Sequence, residues 1–121
     1  MKIKVLEQEF SVCKVKGFAA DVCKGEFWFA AKTDEELSLV CQSECTPEDA
    51  PECSGGWRAM RIEGVLDFSL VGILAGISDV LARAEIGIFA VSTYNTDYIL
   101  VKSADLARAV QALAGAGYEV T

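Results

Sequence analysis

The amino-acid sequence predicts an α+β protein whose second half runs strand, helix, strand, strand, helix, strand. Three observations carry that reading. Residues 68–84 place apolar side chains at Leu70, Ile73, Leu74, Ile77, Val80, Leu81 and Ala84, the three-and-four spacing of a helix that buries one broad face. The runs IGIFAV and YILV, both β-rich, flank the polar turn STYNTD. Beyond them, Leu106, Val110 and Leu113 give a second, shorter helical stripe. This succession is the ferredoxin-like arrangement.

Taken in order, residues 1–16 alternate loosely through Ile3, Val5, Leu6, Phe10, Val12 and Val15, as one or two strands do. Residues 17–25 read as a short connection with room for a helical turn at 19–23. Residues 27–31 are a dense aromatic strand, 32–36 a polar turn and 37–41 another strand. Residues 42–56 (QSECTPEDAPECSGG) hold both prolines, several acids and a Gly-Gly pair, which argues for a linker and against a continuing strand. Trp57 is expected against the sheet edge. Arg61 and Ile62 then form a short strand running into Gly64, which can take backbone angles other residues avoid.

Asp67 or Ser69 can cap the first helix by accepting an orphan amide proton. At ~1.5 Å per residue that helix reaches about 24 Å. Ser103 is the expected cap of the second helix, with Asp105 in its first turn. Gly115 or Gly117 ends it, and residues 118–120 form a last short strand.

FAAKTDEELSLV from Phe29 echoes FAVSTYNTDYILV from Phe89, with a turn one residue shorter, and reads as a degenerate internal repeat. The expected organisation is therefore a partial, mostly β repeat at 1–43, a linker at 44–56 and a complete unit at 57–121, the halves packed together.

Composition narrows the function. A net charge of −7 with no basic stripe argues against nucleic acid. The most apolar run, around residues 71–77, falls short of the ~20 residues of a membrane span. The first residues carry no apolar core of signal-peptide length, and with five cysteines this predicts a reduced, cytoplasmic protein. The chain contains no histidine, which removes the commonest general base and metal ligand. Glu35, Glu36, Asp49 and Glu52 fall in turns or the linker and read as a solvated face rather than a catalytic pair. GVLDFSLVG lacks the lysine of a nucleotide-binding loop. Cys41, Cys45 and Cys53 are spaced C-x3-C-x7-C, without the tight pair and fourth ligand that structural zinc prefers. The cysteines read as small apolar residues or incidental thiols. No enzyme activity and no cofactor are expected.

The strings LDFSLVG and STYNTDYILV, within residues 56–120, resemble the ACT domain, a small amino-acid-binding regulatory module. More closely they resemble small bacterial ACT proteins related to aspartate kinase regulatory domains and to the cytosolic arginine sensors of animals. Residues 27–41 fit the incomplete first repeat of such proteins. The resemblance implies a sheet packed on helices, paired with another ACT unit side by side. It also implies a ligand held where the turn before the first helix faces a strand of the partner unit. Carried over, this marks Gly64, Leu66, Asp67, Phe68 and Ser69, opposite Ile88, Phe89, Ala90 and Ser92, with Thr93, Asn95 and Asp97 on the rim.

Elementary chemistry fits an amino acid there. A helix N-terminus offers unpaired amides and partial positive charge to a carboxylate. Asp97 or Asp67 can pair with the ammonium. The same residues have plainer roles, Asp67 as a cap and Ser92, Thr93, Asn95 and Asp97 as turn formers. Apolar sheet edges need cover, so a homodimer is expected. The reading is a non-catalytic sensor of a free amino acid or related metabolite. Its alternative is a structural module that holds a protein partner and takes no small ligand.

Overall fold

The computed structural model describes residues 1–17, 24–63 and 71–121. Among them the elements run β1 (Lys2–Lys14), β2 (Trp28–Lys32), β3 (Leu37–Gln42), β4 (Glu52–Ile62), α1 (Ile73–Arg83), β5 (Phe89–Ser92), β6 (Asp97–Lys102), α2 (Leu106–Gly115) and β7 (Glu119–Val120). From β4 onward this is the βαββαβ order that the periodicity predicts, preceded by three further strands. The chain divides into two compact units: residues 1–7 with 58–121, and residues 8–57.

In the first of these units, β4 neighbours β1 and β6, and β6 pairs antiparallel with β5. The start of β1 also pairs in parallel with β7, at Lys2↔Glu119 and Ile3↔Val120. Ile3, Met60, Ile62, Ile77, Leu81, Ile86, Ile99, Val101, Ala109 and Leu113 form the core. They alternate along strands and fall three or four apart on α1 and α2, which is why one face of each element is buried. Each Ile, Leu, Val or Met side chain among them contributes roughly 1.5–3 kcal/mol on full burial.

Both helices are followed by a residue with a left-handed backbone. At the end of α1, Glu85 takes a left-handed φ of 59° and Ile86 N–H donates to the Leu81 carbonyl at 3.0 Å. At the end of α2, Gly117 has φ 102° and Tyr118 N–H donates to the Leu113 carbonyl at 3.1 Å. These bonds satisfy carbonyls that a helix end would otherwise leave open.

The other unit holds β2 and β3 with the later part of β1 and the beginning of β4. Phe10, fully buried, meets Phe27 edge to face with centroids 6.2 Å apart. Buried Gln42 accepts from the Phe27 amide at 2.9 Å and donates to Glu44 at 2.7 Å. The backbone amide of Glu44, and then this Gln42 bond, hold its carboxyl below the usual range. A second cluster gathers Cys13, Val15, Leu39 and Cys41, with Cys45 packed against it.

Of the one or two strands expected in residues 1–16, the chain forms one, Lys2–Lys14. Three expectations change. Glu52–Gly56, assigned to a linker by its prolines and glycines, is the first half of β4, which also contains Trp57; Pro51 lies just before it. Its neighbour along this stretch is β1, a partner distant in sequence that local composition does not report. Cys13 and Cys53 are joined in a disulfide within this unit, where composition predicted free thiols. Finally, the two hairpins align without a gap. Thr33 N–H donates to the Glu36 carbonyl as Thr93 N–H donates to the Thr96 carbonyl, each at 2.9 Å. The pairings Phe29↔Val40 and Phe89↔Leu100 also correspond. The turns are therefore equal in length, and the repeat is closer than the strings suggest.

Candidate functional site

The first helix begins later than its apolar pattern implies. Gly72 is the residue before α1, with φ 81°, and among the described residues no side chain caps the helix. The first helical bond runs from Gly76 N–H to the Gly72 carbonyl at 2.8 Å. The amides of Ile73, Leu74 and Ala75 therefore have no acceptor within the helix, and none among the described residues. They point along the positive end of the helix dipole. A left-handed φ of this kind suits glycine, because a Cβ would collide with the neighbouring carbonyl. The helix starts at Ile73, and the expected caps Asp67 and Ser69 lie outside the described residues. Gly64, Leu66, Asp67, Phe68 and Ser69 lie outside the described residues, so five of the twelve expected ligand residues have no described position.

The other seven lie on or beside the β5–β6 hairpin. Register places Ser92 directly across from Asp97, and Phe89 across from Leu100. Among the described residues no donor or cation engages the Asp97 carboxylate, which is half-buried at the start of β6. Ala90 is exposed, and Ile88 packs against the core. Thr93 is committed to the turn. Its hydroxyl donates to the Thr96 carbonyl at 3.0 Å and accepts from the Thr96 amide at 3.4 Å. Asn95 is exposed at the tip.

Thr96 is the residue that pattern reading missed. It is 6% exposed, and its hydroxyl donates to the Ile62 carbonyl at 2.6 Å. That bond fixes the hairpin turn to the last residue of β4. The signal was weak, because a threonine beside asparagine in STYNTD looks like any exposed turn residue.

The second helix also starts later than expected. Ser103–Asp105 form a short 3-10 turn, and Asp105 rather than Ser103 precedes α2. The Asp105 side chain makes no cap; it accepts from Arg108 at 2.9 Å instead. Among the cysteines, Cys41 is buried and Cys45 half-buried, both as free thiols. Burial, and secondarily the neighbouring Cys45 and Glu44, raise the Cys41 thiol pKa against a weak contact to Thr46. No group of three or more Cys, Asp or Glu among the described residues is placed to hold a metal ion. No helix among them is long and apolar enough to cross a membrane.

Comparison with solved structures gives a protein from Agobacterium tumefaciens at 32% identity and TM-score 0.90, covering 99% of this chain and 91% of that one. A Vibrio cholerae protein of unknown function matches at 23% identity and TM-score 0.76, covering 93% and 86%. The ligand-free regulatory subunit of aspartate kinase from Thermus thermophilus shares the fold at 10% identity and TM-score 0.67, covering 97% and 98%. No curated protein sequence matches. A family model, the ACT domain, matches residues 52–115, from the first residue of β4 to the last of α2. That is more than half of the chain and includes both the α1 terminus and the β5–β6 hairpin, so the protein belongs to the ACT-domain family.

Proposed function

We propose that the protein is a non-catalytic regulatory module that reversibly binds a free amino acid or a related small metabolite at an interface between ACT units. The observation that carries this reading is the start of α1, where, among the described residues, three consecutive amides lack an acceptor and no side chain caps them. A ligand carboxylate would take those amides. Asp97, with no partner among the described residues, would take the ammonium as a charge-assisted bond, with Ser92 beside it. Gly64, Leu66, Asp67, Phe68 and Ser69 would complete the approach to the helix, and Ile88, Phe89 and Ala90 the strand facing a second unit.

The shared fold with the aspartate kinase regulatory subunit supports a regulatory role. Binding would regulate only if two arrangements of the units hold the ligand unequally. A homodimer is the natural assembly, because β5 pairs with a strand on one side only among the described residues. We place the protein in the cytoplasm, without a role at nucleic acid or membrane.

The test is a thermal-shift screen of the pure protein against the amino acids at about 1 mM. A ligand of dissociation constant near 10 µM adds about 2.7 kcal/mol, which is several degrees for a chain of this size. No response from any amino acid would refute the binding of a free amino acid.

One observation favours a second reading, a structural module with a protein partner. Val71 and Tyr94 are 89% and 80% exposed, and large apolar side chains so placed suit a protein contact. A dimer that ignores every amino acid yet loses a copurifying partner on Tyr94→Ser substitution would favour it.

A further inference from the structure

The Cys13–Cys53 disulfide joins two cysteines in unlike settings. Cys13 is 2% exposed and packs in the cluster with Val15, Leu39 and Cys41. Cys53 is exposed, at the second residue of β4. A disulfide opens by exchange when a thiolate attacks one of its sulfurs, so access decides which sulfur is attacked. A thiol arriving from solvent meets this bond at its Cys53 end.

The stretch that carries Cys53 is a weak strand by composition. Residues 52–56 (ECSGG) follow Pro51 and include two glycines, which lose backbone entropy in a strand and bring no side chain to pack. None of the five is buried, whereas Ala59, Met60 and Ile62 later in β4 are fully buried. The Trp57 Nε1–H donates to Ser54 Oγ at 3.2 Å, a bond within this strand rather than to its neighbour. Segments with few buried apolar contacts open locally at the lowest free energy. A covalent tie to β1 therefore matters most at this end of β4.

We propose that Cys53 is a redox modification site, at which a small thiol opens the link to Cys13 and releases the start of β4. The incoming thiolate sulfur bonds to Cys53 Sγ and the Cys13–Cys53 bond breaks. Its electron pair leaves on Cys13 Sγ, which takes up a proton. The products are a mixed disulfide on exposed Cys53 and a thiol at buried Cys13. A second molecule of the thiol then attacks the mixed disulfide, freeing Cys53 as a thiol and carrying away the oxidised small disulfide. The site uses neither the α1 amides nor Asp97, so it stands whether or not an amino acid binds there.

Reduced glutathione is the probe. The folded, oxidised wild-type protein is incubated with it, quenched in acid and mapped by mass spectrometry after cleavage at Glu44 and Glu52, which separates Cys41, Cys45 and Cys53. The adduct should appear on Cys53 and not on Cys13. Amide hydrogen exchange at residues 52–56 should then quicken about tenfold or more, while β3 changes less. Cys53→Ser should show the fast exchange without any thiol and no response to glutathione. An adduct on Cys13, or a bond that opens only in denaturant, would overturn the assignment of Cys53. Equal exchange at residues 52–56 before and after opening would overturn the release of β4. So would Cys13 and Cys53 remaining free thiols under oxidised glutathione overturn the whole proposal. The wild-type measurements decide the matter even if Cys53→Ser fails to fold.

Discussion

Thr96 and Ile62 are joined by a hydroxyl-to-carbonyl hydrogen bond of 2.6 Å, with Thr96 only 6% exposed. The bond anchors the β5–β6 turn to the end of β4, the strand that leads toward α1. Replacing Thr96 by Val keeps the shape but leaves the Ile62 carbonyl buried without that donor. We expect a loss of about 1–3 kcal/mol, read as a lower urea midpoint at unchanged slope. Thr96→Ser, which keeps the hydroxyl, should lose less. Equal losses from the two variants would show that the methyl group, not the hydrogen bond, matters at this position.

Gly72 and Glu85 both have left-handed backbones, at the two ends of α1, and substitutions there should act with opposite sign. Gly72 has φ 81°, and beyond its chain neighbours no described atom stands within 4 Å of where a Cβ would be, so the strain of Gly72→Ala is that of the local backbone. A residue with a Cβ in this region costs about 1–2 kcal/mol, and Gly72→Ala should be destabilised by about that much. Glu85 already bears such a cost at φ 59°, so Glu85→Gly should be stabilised by up to about 1 kcal/mol. Urea unfolding of the two single variants checks both signs.

These positions show what local sequence reports and what it omits. The apolar spacing of Ile73, Leu74, Ile77, Val80 and Leu81 made α1 legible, because that pattern is the face the helix buries. Its start was not legible. Asp67 and Ser69 are good capping residues by type and lie outside the described residues, while the chain enters the helix through a left-handed glycine that has no side chain to cap it. Glu52–Gly56 carries loop composition and is a strand, because strand formation there depends on neighbours far along the chain. The equal length of the two turns was hidden for a related reason. The bonds of Thr33 and Thr93 define each turn, and a string comparison does not see hydrogen bonds. Among the expected ligand residues, Ser92 and Asp97 were chosen by residue type, and register sets them opposite each other. Thr96 escaped because burial, not residue type, distinguishes it from its neighbours.

The Cys13–Cys53 disulfide spans a sequence separation of 40 and ties β1 to β4 in the unit formed by residues 8–57. Cross-linking of that length stabilises chiefly by restricting the unfolded chain, typically by about 2–4 kcal/mol. Adding a dithiol reductant should lower the urea midpoint of the wild-type protein by a corresponding amount. It should leave a Cys13→Ser, Cys53→Ser double variant unchanged. Cys53 is exposed, so reduction needs no prior unfolding. A wild-type midpoint indifferent to reductant would show that the link contributes nothing to stability.

Cys41 gives the fold a pH dependence at the alkaline end. Burial raises its thiol pKa in the folded protein above the ordinary thiol value. Above that ordinary value the unfolded chain releases a proton that the folded chain retains. The sign follows from linkage: the unfolded state then binds fewer protons, so stability falls as pH rises. The contribution is intact below the unfolded thiol pKa and is lost as pH climbs toward the folded one. Urea unfolding between pH 8 and 10, in a Cys45→Ser background that suppresses thiol exchange, should show a decline that Cys41→Ala lessens. An identical decline in both proteins would assign it to other groups.

Asp97 is the residue on which the metabolite reading can be tested with the least disturbance of the fold. Its carboxylate is half-buried, sits across from Ser92, and engages no donor among the described residues. Removing a side chain that supports nothing should leave the unfolding midpoint within about 0.5 kcal/mol of wild type. If the carboxylate holds a ligand ammonium, Asp97→Ala should weaken binding of any amino acid found in the thermal-shift screen. Loss of one charge-assisted bond of about 1.5–3 kcal/mol is a change of roughly ten- to a hundredfold in dissociation constant. Asp97→Asn keeps the size and removes the charge, and should bind nearly as weakly as Asp97→Ala. Calorimetric titration of the three proteins with the same ligand distinguishes the cases. Full affinity in both variants would remove Asp97 from the site and leave the α1 amides as the ligand's remaining polar anchor. Loss in Asp97→Ala but not in Asp97→Asn would make the contact a neutral hydrogen bond, which a ligand without an ammonium group could also satisfy.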